Sequence, residues 1–371
     1  MTLQPVVGIV GSAGAYGRWL AEFLRTCMGL EVLGHDPADP ASLAEEALLA
    51  RVQVLIFSAP IRLTPSLIAR YADIASGRER EQLWLDVTSI KQAPVAAMLA
   101  SQAEVVGLHP MTAPPKSPTL KGRVMVVCEA RLARWQPWVS ALYAALEAER
   151  VPATPEHHDR VMALVQGMVH ATHLAQAGVL GDYAPLLGEL QALMPFRSAS
   201  FELDTAVIAR ILSLNPSIYE DIQFGNPYVP EMLDRLLAQL ATLRELVRQG
   251  DDAARARFRA QFLLANRQAL APASLEGGNY SYERLGYLLA DLTEPLAISV
   301  YLPEDRPGSL RALLHVFERH GLNLASIHSS RTPQGELHFR LGLEADSAPA
   351  QLDAATREIN DSGIGRVLPL R

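Results

Sequence analysis

The chain has 371 residues, 49% hydrophobic, 20% charged and 6% aromatic, with a formal net charge of −7 at pH 7. That length exceeds one ordinary core and implies two or three domains, while the excess of acid leaves no basic footprint for nucleic acid. Apolar runs are short and broken by glycine, proline or charge, so none reads as a bilayer span, and the opening MTLQPVVGIVG lacks the basic flank of a signal peptide.

From residue 1 to about 150, short β-type runs alternate with helical stretches. VVGIVG (6–11), LEVLGH (30–35), QVLIFS (53–58), LWLDV (83–87), EVVGL (104–108) and VMVVC (124–128) read as strands, with RWLAEFLRTCM and PSLIARYADIA as helices between them. Continuous apolar strands alternating with helices predict a parallel sheet covered on both faces, an α/β nucleotide-type domain. The stretch GIVGSAGAYGRWLAEF carries Gly11, Gly14 and Gly17 directly after the first strand and at the start of a helix. Glycine permits the tight turn and the close approach of a pyrophosphate to a helix N-terminus. The second strand ends in His35-Asp36, with Asp36 19 residues beyond Gly17. An acid there suits the ribose hydroxyls and repels a 2′-phosphate, which favours NAD over NADP. The pattern is GxxGxxG rather than GxGxxG, so the first turn is expected to hold an extra residue. Expected cofactor contacts are Gly11, Ser12, Gly14, Ala15, Tyr16, Gly17 and Asp36, with Ser58 and Pro60 after the third strand.

From Pro155 to about Leu292 apolar residues recur at helical spacing, in 160–180, 201–214, 232–247 and 253–269, and strand candidates vanish. This all-α region carries more apolar surface than one stripe per helix requires, which points to a homodimer. Residues 295–371 become mixed again, in the βαββαβ order of a ferredoxin-like α+β domain, with TEP (293–295) as the linker. The resulting expectation is three domains, at 1–152, 153–292 and 295–371.

Taken together, the glycine turn, LDVTSIK (85–91), GLHPM (107–111), HDRVMALVQGMVH (158–170) and ARILSLNPSIYEDI (209–222) resemble the prephenate dehydrogenases of tyrosine biosynthesis. The resemblance covers roughly residues 6–290. It implies a Rossmann domain followed by a helical dimerisation domain, with the active site between them. It also implies NAD-dependent oxidation of prephenate to 4-hydroxyphenylpyruvate with release of CO2. Such a site needs a proton acceptor at the ring hydroxyl, cations at two carboxylates, and a nicotinamide held against C4. By the same resemblance His109 is the catalytic histidine, Ser89 hydrogen-bonds the same hydroxyl and the histidine, and His170 lines the site from the helical domain. Arg210 binds a substrate carboxylate, with Gln166 and Lys91 as further substrate-binding candidates. Many relatives have serine at the position of Gln166. The proline-rich TAPPKSP after HPM departs from the family's small glycine loop and leaves prephenate or arogenate open as substrate. Arg197 and Lys116 are candidates for the second carboxylate.

DRPGSLRALLHVFERHGLNLASIHSS (305–330) resembles an ACT domain, a small-molecule regulatory module. That resemblance implies an aromatic amino acid such as tyrosine as effector, bound near Pro307, Gly308, Ser309 and Asn323. The run His328-Ser329-Ser330-Arg331 has histidine where phenylalanine-sensing relatives have glutamate. Alternatives are an arogenate or dual-specificity cyclohexadienyl dehydrogenase and a catalytically inactive sensor; the first strand begins so early that no chorismate mutase segment is expected ahead of it. Cys27 and Cys128 lie in apolar settings that suit a cytoplasmic protein without a disulfide framework. His157, His158 and His173 have neither HExxH nor HxxxH spacing, so no metal is expected.

Overall fold

The computed structural model describes residues 4–271, 274–275, 277–278, 281–282, 285, 297–303, 306–331, 337–344 and 347–368; the linker expected at 293–295 lies outside them. The chain divides into two compact units, Met1–Glu245 and Leu246–Arg371.

The first unit opens with β1 (Val7–Val10), α1 (Ala15–Thr26), β2 (Val32–His35), α2 (Glu45–Leu49), β3 (Val54–Phe57), α3 (Thr64–Ala75), β4 (Leu83–Asp86), α4 (Gln92–Ala100), β5 (Glu104–Pro110), β6 (Val124–Arg131), α5 (Gln136–Leu146) and β7 (Glu149–Pro152). These strands form one sheet in the order β2-β1-β3-β4-β5-β6-β7. All-apolar strands such as VGIV and VLIF are buried along their whole length, because both faces are covered. One core holds Phe23, Leu24, Val139 and Leu142 against the sheet, and another holds Phe57, Ile68, Tyr71 and Trp84.

Two features differ from the expected parallel sheet. First, β6 pairs antiparallel with β5, His109 lying opposite Val126. The segment between them, 111–123, forms no helix, and a parallel return needs a crossover of a dozen or more residues, usually helical. The proline-rich loop therefore turns the chain straight back; it is also tied to α1, since Trp19 Nε1 donates to Ser117 O at 3.0 Å. Second, β7 extends the sheet as an exposed edge strand, parallel to β6. Its sequence ERVP is polar and ends in proline, and so carries no strand signal.

The helical part follows. Thr154 caps α6 (Pro155–Met162) by accepting from His157 N at 3.2 Å, with Pro155 at the first helical position. A π-helical turn (Ala163–Met168) leads into α7 (Val169–Leu187). Then come α8 (Leu190–Leu193), α9 (Ala199–Ser213), α10 (Pro216–Gly225) and α11 (Val229–Gln249), whose last residues enter the second unit.

The second unit continues with α12 (Asp252–Phe258), a π-helical turn (Arg259–Leu264) and α13 (Ala265–Ala269). It then forms β8 (Ala297–Leu302), α14 (Ser309–Arg319), β9 (Leu324–Arg331), β10 (Leu337–Leu343), α15 (Pro349–Asp361) and β11 (Arg366–Leu368). The strands make an antiparallel sheet in the order β11-β8-β10-β9, the ferredoxin-like arrangement expected. Val300, Leu313, Phe317 and Ile359 centre its core. No helix among the described residues is long and apolar enough to cross a membrane.

Candidate active site

The carboxyl ends of β1, β3, β4 and β5 lie along one edge of the sheet, where open α/β sheets bind ligands. Beyond β1 the chain turns at Gly11, with φ of +86°, and Gly11 N donates to His35 O at 2.8 Å. A Cβ on Gly17 would stand 2.2 Å from Gly11 O, so only glycine lets α1 start so close to the strand. The β2–β1–β3 order puts this turn where the strand order reverses. Asp36 supports it: Oδ2 accepts from Ala13 N and Oδ1 from Ala38 N, each at 2.9 Å. Each oxygen keeps a lone pair for a ribose hydroxyl, and the turn leaves room for backbone approach, so these residues fit a dinucleotide.

Next to this turn is a cavity of about 650 Å³. It gathers Tyr16, Ser58, Pro60, Ser89, His109, Gln166, His170 and Arg210, eight of the residues expected at the site. His109 is the penultimate residue of β5 and is buried, with its Nδ1 2.8 Å from His158 Nε2. Its Nε2 lies 3.4 Å from Gln166 Nε2, on the cavity side. The π-helical turn carries Gln166, and His170 follows at the start of α7. Ser89 lines the same cavity but makes no hydrogen bond to His109, whose ring nitrogens face His158 and Gln166. Arg210, exposed on α9, has no ion-pair partner among the described residues.

Lys91 requires a correction. Expected at the substrate, it is fully buried, donating its ammonium to Asp86 Oδ2 and, at 2.7 Å, to Leu108 O. Asp86, also buried, accepts in addition from Thr88 N and Oγ1. Gly107 makes room for the lysine stem: a Cβ there would approach Lys91 Cδ to 3.1 Å. Lys91 thus braces the strand that carries His109 instead of facing the cavity. Nor do Arg197 or Lys116 line it; Arg197 pairs with Glu202.

Several participants were not expected. His158 Nδ1 lies 2.7 Å from Asp159 Oδ1, and both side chains are fully buried. Arg62 and Asp221 also line the cavity, Asp221 accepting from Arg62 N and Nη1 at 3.2 Å each. Tyr219 stacks edge-on against His170, ring centroids 4.9 Å apart. His158 could have been found from its helix: it falls on the same face as Met162, four residues on, while His157 points outward.

Burial pushes the His109 imidazole well below its usual range, and the neighbouring His158 and Lys91 push the same way. Burial also lowers His158, against the opposing pull of its Asp159 hydrogen bond. His170 is lowered by burial and by His173. All three rings are therefore poised as neutral bases rather than cations near neutral pH.

Comparison with known proteins agrees with this geometry. Residues 154–262 match the family described as prephenate dehydrogenase, dimerization domain, and residues 296–359 match the ACT domain. A probable arogenate/prephenate dehydrogenase of Methanocaldococcus jannaschii is 27% identical over 263 residues, 66% of this chain and 57% of that protein. The T-protein of Enterobacter agglomerans is 30% identical over 250 residues, 67% of this chain and 64% of that protein. The helical part thus carries the dimerisation domain of the prephenate dehydrogenases, and an ACT domain follows it. The chain spans about six-tenths of the length of these two curated relatives. The fold recurs in a crystal structure of prephenate dehydrogenase from A. aeolicus in complex with hydroxyphenyl propionate and NAD+, with TM-score 0.57, 19% identity, and coverage of 73% of this chain and 99% of that one. The prephenate dehydrogenase match begins at Thr154, which caps the helix bearing His158 and Asp159, and it includes Gln166, His170 and Arg210.

Proposed function

We propose that the chain catalyses the NAD-dependent oxidative decarboxylation of prephenate to 4-hydroxyphenylpyruvate. The observation that carries this reading is one cavity holding a buried neutral histidine and an arginine without an ion-pair partner among the described residues, beside a dinucleotide turn. When bound, the nicotinamide supplies the hydride acceptor. His109 Nε2 accepts the hydroxyl proton while C4 becomes a carbonyl. As the ring carboxylate departs as CO2, its electron pair aromatises the ring and the oxygen recovers a proton. No net proton is released, so the base must lend and return one. A neutral imidazole of low basicity is suited to that.

Arg210 is the cation for one carboxylate. The cavity's own carboxylate, Asp221, is taken up by Arg62, which leaves little anionic attraction for the ammonium that distinguishes arogenate. That supports prephenate as the preferred substrate. The division into a cofactor domain (1–152), a helical domain (153–292) and a regulatory domain (295–371) is retained within this proposal. α7 contains no buried residue, and Phe196 and Phe224 are 87% and 91% exposed, which supports a homodimer through the helical part. In the second unit Pro307, Gly308 and Asn323 are exposed near the start of α14 and the end of its following turn, in keeping with an aromatic amino-acid effector there.

The test is NADH formation followed with prephenate and with arogenate, for the wild type and His109→Asn. We expect prephenate to be preferred and the variant to lose about 10²- to 10⁴-fold in kcat. Near-normal kcat in the variant removes His109 from its role, and a clear preference for arogenate overturns the substrate assignment.

A further inference from the structure

His109 is not held in its orientation by anything on its own strand; its Nδ1 is met by a side chain from another part of the first unit, His158 of α6. Following the hydrogen bonds inward from there gives a direction to every proton. Asp159 accepts from Lys91 N at 2.8 Å through Oδ1 and from Gln92 N at 2.9 Å through Oδ2. As a carboxylate it has only lone pairs to offer, so the contact of 2.7 Å with His158 requires the proton to sit on His158 Nδ1. The Nε2 of neutral His158 is then an acceptor, and the contact of 2.8 Å requires His109 to carry its proton on Nδ1. His109 Nε2 is left as a bare lone pair.

At the other end of the chain of contacts His109 Nε2 faces the cavity, where the Gln166 side-chain amide lies 3.4 Å away. The tautomer is set from the His158–Asp159 side. The His109 and His158 rings meet edge to face, at 67° with centroids 5.0 Å apart, so a ring nitrogen of one points at a ring nitrogen of the other.

We propose that His158 and Asp159 are positioning residues that lock His109 in the Nδ1–H tautomer and stabilise its charge while it holds the substrate's proton. This rests on the dehydrogenase reading of the site. During the reaction the substrate O–H bond breaks and an Nε2–H bond forms on His109. The imidazolium then donates from Nδ1 to His158, which donates in turn to Asp159, so positive charge is shared toward a buried carboxylate. When CO2 leaves, the Nε2–H bond breaks and the proton returns to the ring oxygen. Neither His158 nor Asp159 lines the cavity, and the sequence of protons is closed.

The deciding measurement uses the full chain with ¹⁵N-labelled histidine, His109 being assigned by the signal lost in His109→Gln. At neutral pH we expect the His109 signals of the Nδ1–H tautomer; the Nε2–H tautomer overturns the proposal. This reading needs no turnover, so it judges the relay even if neither prephenate nor arogenate is oxidised, an outcome that would instead sink the enzymatic reading. Kinetics supply the second arm. His158→Asn keeps a partner for Asp159 but loses the acceptor for His109, and should lower kcat by about 100-fold with KM within roughly threefold. His158→Gln places an amide oxygen near the lost Nε2 and should recover part of that kcat. Unchanged kcat in folded His158→Asn, or a loss that appears only in KM, refutes the role.

Discussion

Replacing Lys91 by methionine separates two accounts of this residue. In the structure its ammonium is completely buried against Asp86 and also donates to Leu108 O, one residue before His109. Methionine fills the stem's volume but leaves the Asp86 carboxylate without a counter-charge inside the protein. Breaking a buried pair in this way costs about 3–5 kcal/mol, because the remaining charge cannot be solvated. The first unit is Met1–Glu245. At roughly 2.1 cal/mol/K of unfolding entropy per residue, a unit of that size loses about 6–10 °C in Tm for such a penalty. Scanning calorimetry gives the shift, and initial rates of NADH formation give KM for substrate. We expect the large Tm loss, and a fall in kcat because the end of β5 loses its brace. If Tm moves by less than about 2 °C while substrate KM rises tenfold or more, Lys91 reaches substrate after all and the buried-pair argument is wrong.

Arg210→Gln should raise KM for prephenate by about 10- to 100-fold, the worth of a hydrogen bond to a charged group, without lowering Tm, because the side chain is exposed and unpaired among the described residues. An unchanged KM sinks its assignment. Gly17→Ala pushes a methyl group to 2.2 Å from Gly11 O and 2.9 Å from Ser12 Cα, both backbone atoms, and should raise KM for NAD by about tenfold or more. Normal NAD saturation would show that the turn can open without cost. His109 must be neutral to accept a proton and its basicity is depressed, so kcat/KM should stay flat from about pH 8 to 6.5 and fall only at lower pH. A rate that already halves near pH 6.5 contradicts this. For stability the sign is the same: His109 and His158 stay neutral in the fold below about pH 6.5, where the unfolded chain binds protons. Stability present above that pH is thus lost as pH falls toward the folded values, by up to about 1.4 kcal/mol per unit for each ring, which Tm measured from pH 7.5 to 5 will register.

What was legible in the sequence is what is encoded locally. Period and apolarity locate β1 to β6, and three glycines after a strand locate the turn, because each depends on residues within one or two elements. The direction of β6 was not legible, since VMVVC is equally apolar read either way; what sets it is the lack of a helix between Pro110 and Val124. At the site, motif context places His109, Ser89, Gln166, His170 and Arg210 around one cavity. It could not say that Lys91 turns inward, since that depends on a cavity beside Gly107 and a carboxylate on the neighbouring strand. Nor could it pair His109 with His158, 49 residues away. A histidine followed by an aspartate on a helix gives no sign of what lies across from it until strand and helix are docked.

The same distinction bears on how a chain of net charge −7 would bind the dianionic substrate proposed above. Net charge counts Lys91, Arg62 and Arg210 alike, yet their surroundings make them three different objects. Lys91 is neutralised by Asp86 inside the core and contributes position rather than attraction. Arg62 is half-committed: it holds Asp221, which ties the loop after β3 to α10, and its guanidinium is partly solvated. Arg210 alone meets the cavity without an acid beside it among the described residues. A second substrate carboxylate would therefore have to compete with Asp221 for Arg62. Loosening that pair would expose an acid to the cavity, which favours a substrate carrying an ammonium, while the freed Arg62 meets a carboxylate that either substrate offers. Discrimination between prephenate and arogenate is thus expected to be set by the Arg62–Asp221 pair more than by Arg210, which meets a carboxylate in either substrate.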